Sequence, residues 1–551
     1  VYNNNGSATA QSTGNGLPAQ VRNLTISNTA NTTLTAPSSV AQVLAITSSG
    51  AFNPNSQTLT LLSNATGTAL LANLGGGQVS GSLTVQRYID PSRNAGLGYR
   101  HLAAPVFAAT VAAFGSGGTT PVVNSAYNSA ANPNAVTPFP TVFSYDQSRL
   151  ATSPATTLAA FDKGWVSPAS LTDAASLAFT GFTVQLPGAS TLSFVGQVAQ
   201  TGGTIPMSRT SGATAADAGF NLIGNPYASP LDFSTIPASQ RTNLDAAYYI
   251  FESTSQYGGS YRSYVNGIGT SSLIGTAQGF FMRVSSGSTS GSLALTNANR
   301  ATTYGQQAPV RRTASLRPLV QLDLAGQNLA DAFYAYAETG ATAGFDGEYD
   351  AAKLPNTHGL NLSTTRGTTE PLAIDGRAAF TAATSFPLTV GVPAAGTYTF
   401  TAAQLANLPA GLTAYLYDAA TGSSTALSAG SVYSFQVSAA QAATPVAGRF
   451  TLQFSPAAPL AAAPAALAAQ VSIFPNHAHE QVTVSLPGIA GATAVQAELL
   501  NALGQVVRRQ ETALPAAGTA FGLPTAGLAP GVYVLRLTAG TTLITKRLTI
   551  Q

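Results

Sequence analysis

Nowhere in this 551-residue chain do apolar residues keep a helical period; they come in short alternating runs broken by Gly, Pro, Asn or Ser. Leu83-Thr-Val85, Phe182-Thr-Val-Gln-Leu186, Thr397-Tyr-Thr-Phe400 and Val432-Tyr-Ser-Phe-Gln-Val437 are examples. Side chains that alternate in this way belong on strands with one buried face. The Ala-rich stretches carry too many Thr, Gly and Pro for long helices. The sequence therefore predicts an all-β chain of tandem β-solenoid and β-sandwich modules, ending in a small immunoglobulin-like β-sandwich.

The length favours several domains, and changes of texture mark five segments. Residues 1–88 open with a polar stretch, Val1–Gln20, that reads as a flexible arm or an added strand. Short apolar runs then recur at irregular spacing, from Leu24-Thr-Ile26 to Leu83-Thr-Val85. Such runs fit either a β-solenoid or a meander within a sandwich. Residues 89–305 are rich in aromatics, among them Tyr99, Phe143, Trp165, Tyr248, Phe251 and Phe281. Residues 314–455 alternate as a further β-sandwich, and 456–470 is an Ala/Pro/Leu linker. Residues 471–551 form the last unit.

Composition narrows the function. Only 8% of residues are charged, against about 25% in an average soluble protein. A surface of hydroxyls, amides and small apolar groups has little charge repulsion to keep copies apart. The net charge is +3 and basic residues gather no further than pairs such as Arg311-Arg312, so a nucleic-acid partner is not expected. The absence of Cys excludes disulfides, thiolate-bound metals and thiol catalysis. No apolar run is long enough for a membrane-spanning helix. No signal peptide precedes Val1, so the chain reads as a processed form or a fragment.

The last unit carries the clearest marks. It opens on Phe474-Pro475-Asn476, turns at Gly504-Gln505, continues through Leu528-Ala-Pro-Gly531-Val-Tyr533 and closes on a strand with Lys546-Arg547. In this order, at the C-terminus, these residues resemble the C-terminal sorting domain of proteins exported by the type IX secretion system of Bacteroidetes. His477 stands where that family usually has a second Pro, a change in turn stiffness. The resemblance implies passage through the outer membrane, engagement of the type IX machinery and display at, or release from, the cell surface. Gly219–Phe233, taken with Tyr99–Val106, resembles a β-rich module of large Bacteroidetes surface proteins. The 314–455 segment resembles the β-sandwich that often precedes a sorting domain.

Candidate sites are few. Asp346-Gly-Glu348-Tyr-Asp350 puts three carboxylates at alternating positions. Such a string can cage Ca²⁺, or it can serve as a turn with a pair to Lys353. No other cofactor is expected. Tyr257, Tyr261 and Tyr264 lie among Gly and Ser, where exposed rings could stack on a glycan; core rings on a strand are the competing reading. His101 and His358 fall in different expected modules, and His477 and His479 beside a turn. No nucleophile elbow or phosphate loop is present, so catalysis is not expected. A carboxylate pair for hydrolysis needs no motif and stays open. The sequence thus describes a secreted surface protein, structural or adhesive, that pairs with its own copies into a fibre or sheath, with glycan binding as the alternative.

Overall fold

The structure, a computed structural model, describes the chain except residues 4–8, 74–75, 117, 176–178, 215, 306–316, 366–369, 457–460, 463–464, 490, 502–503 and 541. Arg311-Arg312, the start of the expected 314–455 module, parts of the expected arm and linker, and residues 502–503 just before the Gly504-Gln505 turn lie outside the described residues. The chain is all-β and divides into two compact units, Val1–Phe454 and Ser455–Gln551.

The first unit begins as a parallel β-solenoid. Gln20–Ile26 pairs with Ser38–Ile46, which pairs with Leu59–Leu61, which pairs with Leu83–Tyr88, all parallel. A second parallel stack runs through Gln11–Ser12, Thr32–Thr33, Ala51–Asn53 and Gln78–Val79. Parallel stacking places like on like: Leu24 opposite Leu44 and Ile26 opposite Ile46, all buried. Polar side chains on the strands also tie successive coils. Arg22 Nε donates to Gln42 Oε1 at 2.9 Å, and Val43 N to Asn23 Oδ1 at 3.1 Å. Of the two readings open in the sequence, the parallel register identifies the solenoid, since a meander would pair its strands antiparallel. The N-terminal stretch contributes Gln11–Ser12 and a bridge from Tyr2 to Ile26. The solenoid's last strand is closed by Thr191–Val198, which runs antiparallel along Leu83–Tyr88.

Cores cross the expected boundaries at 88 and 305. One cluster joins Leu24 and Ile26 to Phe182, Phe194 and Ala277. Another joins Phe161 and Phe281 to Tyr336 and Ile374. Strands between Leu319 and Pro456 form one hydrogen-bonded sheet. Phe435, on one terminal strand, meets Phe450, near the other end, with ring centroids 4.6 Å apart. The sheet must therefore fold back on itself around a common core.

The second unit is a small sandwich of a five-stranded and a three-stranded sheet around Val482, Leu499, Leu535 and Leu548. Part of the expected 456–470 linker belongs to it. Ala461–Ala462 pairs with Thr542–Leu543, and the helix Ala465–Gln470 packs Leu467 and Ala468 on the core. An Ala/Leu run is a good helix former once an apolar surface is within reach. Glu498, buried between strands, accepts from Arg509 Nε and Arg536 Nε, each at 2.8 Å. These bonds hold its carboxyl below the usual range.

Candidate functional site

The Val1–Phe454 unit contains a cavity of about 490 Å³, within the range of small-molecule sites. Its floor is one face of a four-stranded antiparallel sheet made by Leu97–Leu102, Phe182–Pro187, Val142–Tyr145 and Trp165–Val166. Because strand side chains alternate, Tyr99 and His101 share a face. The register sets Thr183 between His101 and Phe143 in one row across the sheet, and Trp165 opposite Tyr145.

A hairpin, Leu244–Ser253 and Gly259–Val265, supplies the facing wall. Phe251 and Tyr261 are directly opposed on it, with ring centroids 5.1 Å apart. Gly259 must lack a side chain, since a Cβ there would lie 2.3 Å from the Phe251 ring. The turn of this hairpin carries Tyr257, which is 56% exposed and leans over Tyr99 at 6.4 Å. The remaining walls come from short turns holding Tyr127, Phe139 and Phe161, and from the segment Pro355–His358. That segment is fixed to the hairpin by Asn356, whose Oδ1 accepts from Tyr261 N at 2.8 Å.

The polar groups are sparse and graded in depth. At the bottom, His101 is 3% exposed and stacks on Phe251 at 5.1 Å. Burial holds its pKa at about 3, so the imidazole is neutral. Its Nδ1 and the Oγ1 of Thr183, a residue 5% exposed, have no hydrogen-bond partner among the described residues. Higher on the wall, Asp162 accepts from Thr357 Oγ1 at 2.9 Å. Burial raises its pKa, against the Thr357 and Trp165 side chains and the nearby His358, which favour the charged form. Burial, reinforced by Asp162, pushes the Tyr127 phenol up to about 12. Asp162 is the one acid, and no Lys or Arg is present, among the described lining residues.

Sequence reasoning reached part of this site. Tyr257 and Tyr261 both line the cavity, but the three tyrosines expected to be exposed together are not. Tyr261 and Tyr264 are strand residues, 7% exposed each. Three positions apart on a strand, they point to opposite faces, and Tyr264 packs beside Phe233 and Tyr248 in another core. His101 and His358, assigned to different modules, line one cavity. Asp346, Glu348 and Asp350 do not converge. Glu348 grips Arg241 with both oxygens, at 3.0 and 2.8 Å, while Asp346 Oδ1 accepts from Glu348 N. The fully buried Asp350 accepts from Asp346 N and Gly376 N. Lys353 pairs with Asp331 at 2.8 Å, not with this string. No group of three such ligands occurs among the described residues. Asp162 and Thr183 carry no local signal in the sequence, whereas Trp165, the lone Trp, sits within the aromatic-rich stretch.

In the second unit the sorting marks have structural positions. Asn476 Oδ1 accepts from Thr549 N at 2.9 Å, tying the opening turn to the last strand. Tyr533 OH donates to Ala529 O at 2.8 Å. Gly531 begins the strand that carries Tyr533, and Lys546 lies on the last strand. Phe474, His477 and His479 are exposed.

Residues 2–454 match the family described as a domain of unknown function, DUF8693. Residues 472–551 match the secretion system C-terminal sorting domain. The sorting domain marks a protein secreted by the type IX route to the cell surface. No described helix is long and apolar enough to cross a membrane. No curated protein matches the chain. Among solved structures it is similar to an FMN-binding beta-glucuronidase from Facaelibacterium prausnitzii L2-6, at 12% identity over 36% of this chain and 39% of that one, with a TM-score of 0.12. It is also similar to dimeric latent PorU from Porphyromonas gingivalis, at 12% identity over 65% and 35%, with a TM-score of 0.13. The BSP domain of a biofilm associated protein gives 10% identity over 86% and 59%, with a TM-score of 0.13. The chain spans less than two thirds of each of these proteins.

Proposed function

We infer, for a chain that belongs to the DUF8693 family and carries a type IX sorting domain, that it is an adhesive binding protein of the cell surface which holds a carbohydrate ring in its aromatic cavity. The observation that supports this reading is Tyr257. It is a large ring, more than half exposed, poised over a recess whose walls are aromatic and whose polar groups are few. Aromatic faces stack on the apolar faces of sugars, and sparse polar groups orient them. A binding role suits the lining better than cleavage, because glycoside hydrolysis ordinarily needs two carboxylates and Asp162 stands without a second acid among the described lining residues. The test is a glycan array probed with the full chain and with Tyr257→Ala. Binding to a defined set of glycans, lost in the variant, is expected; an array with no retained glycan overturns the reading.

A second reading, self-assembly, is favoured by the Gln20–Ile26 strand. It ends its sheet, and among the described residues its outer side is met only near Tyr2, whose N donates to Thr25 O at 2.8 Å. Strand ends of this kind accept a strand from a second copy. Electron microscopy of concentrated protein should then show filaments, and monodisperse particles at every concentration would remove this reading.

A further inference from the structure

Asp162 differs from the other inward-facing carboxylates of its unit. Charges taken out of water are ordinarily paired. Asp331 pairs with Lys353 at 2.8 Å, Asp375 with Arg377 at 2.8 Å and Asp418 with Arg449 at 2.9 Å, and all three acids are sealed from solvent. Asp162 has no ion pair among the described residues. Its surroundings are the Thr357 hydroxyl, the Trp165 side chain and the nearby His358. Nor is it sealed: Asp162 is half-buried and lines the cavity, and Thr357, which donates to it at 2.9 Å, is itself an exposed lining residue. Its charge is felt on other walls as well. After burial, Asp162 is the next cause that raises the phenol pKa of Tyr127, on a short turn, and of Tyr261, on the hairpin. An acid without a countercharge therefore borders a space walled by aromatic rings.

We propose that the sugar held in this cavity is an amino sugar with a free amine, and that Asp162 is the specificity-determining residue that receives its ammonium group. This rests on the carbohydrate reading above and names the class of sugar. An ammonium has three donors, and a carboxylate that already accepts from Thr357 keeps further lone pairs for them. A charge-assisted bond of this kind is about twice as strong as a neutral one, and the aromatic walls attract the cation on their own account. The other sugar classes fit less well. A neutral hydroxyl can donate to Asp162 but leaves its charge uncompensated. N-acetylation removes the ammonium charge. An acidic sugar brings a second negative charge into a recess with no Lys or Arg among its described lining residues, and like charges there repel. Lys163, next to Asp162 in the chain, does not line the cavity. Choline supplies the charge but has no N–H to donate and no ring to stack on Tyr257.

Calorimetry on the full chain at neutral pH tests the proposal. Three β-1,4-linked hexamers differ at one position of each ring: glucosamine carries an amine there, N-acetylglucosamine an acetamide and cellohexaose a hydroxyl. Polygalacturonate and choline chloride complete the set. The glucosamine hexamer should bind at least about tenfold more tightly than the other two hexamers, and polygalacturonate and choline more weakly still. Asp162→Asn keeps an acceptor for Thr357 and should melt as wild type does. It should lose about tenfold or more for the glucosamine hexamer and less than about twofold for cellohexaose, a coupling that a merely structural role would not produce. Should the variant fail to fold, the preference of wild type among the three hexamers decides alone. If no probe binds, or choline only, the carbohydrate reading falls and this proposal with it. If the acetamide or hydroxyl hexamer binds as tightly as the amine, and needs Tyr257, the carbohydrate reading stands and the proposal is overturned. A preference for the amine that survives intact in folded Asp162→Asn overturns it as well.

Discussion

Two regions of the first unit are built from the same material and come out differently. In the sheet between Leu319 and Pro456, aromatic rings close on one another: Phe435 lies 5.0 Å from Phe400 and 4.6 Å from Phe450, and Phe380 lies 4.6 Å from Phe454. Around the cavity, rings of similar number line a space, with Tyr99 6.1 Å from Phe143 and 6.4 Å from Tyr257. The first region is covered by its own sheet folded back. The second is covered by turns and one hairpin, which meet without filling it. Aromatic content therefore does not distinguish a core from a site. What distinguishes them is the covering layer and whether the polar atoms beneath have been satisfied.

Substitutions should separate the two regions. The largest effect belongs to the closed core: Phe435→Ala should cost about 3–5 kcal/mol in urea unfolding, the usual cost of an aromatic-sized void. A cost near that of a surface change would mean this core is as loosely filled as the cavity. Next comes acid. His101 is neutral when folded, with a pKa of about 3 against an ordinary 6.5. The stability it contributes is complete above about pH 6.5 and is lost progressively as pH falls toward 3. At about pH 4.5 the loss should reach roughly 2–3 kcal/mol. His101→Phe should lack this component, so its unfolding curves at neutral and acid pH should differ less than those of wild type. A smaller effect, of opposite sign, is expected from Thr183→Val. Removing an unpartnered hydroxyl should leave stability unchanged or raise it by up to about 1 kcal/mol, a direction not expected of a satisfied core residue. Smallest of all, Tyr257→Ala should change stability by less than about 0.5 kcal/mol, since the ring is mostly exposed, while abolishing glycan retention. A large loss of stability there would place Tyr257 with the core rings and not with the site.

Much of the fold is legible in the primary structure because period-two alternation is a local signal. The strands around Leu322, Phe400 and Phe450 announce themselves, as does the sorting domain. The solenoid is legible only as one of two readings, because parallel and antiparallel pairing leave the same alternation in each strand. The site is less legible. Tyr257 stands out through its Gly and Ser neighbours, but His101, Thr183 and Asp162 are ordinary residues in sequence. They become neighbours of one space through register and through the return of Pro355–His358 to the hairpin, and those are long-range facts. The acidic string at Asp346 misleads for the converse reason. Local spacing suggests convergence, whereas Arg241 and the Gly376 amide draw its carboxylates apart.

The antiparallel strand Thr191–Val198 that closes the solenoid also sets a timetable. Leu83 pairs with Gly196 and Tyr88 with Thr191, so the final coil stays unsheltered until chain far downstream arrives. Closing so long a loop is slow compared with stacking adjacent coils. The stacked coils should therefore assemble early, with their last edge open until the distant Thr191–Val198 strand closes on it.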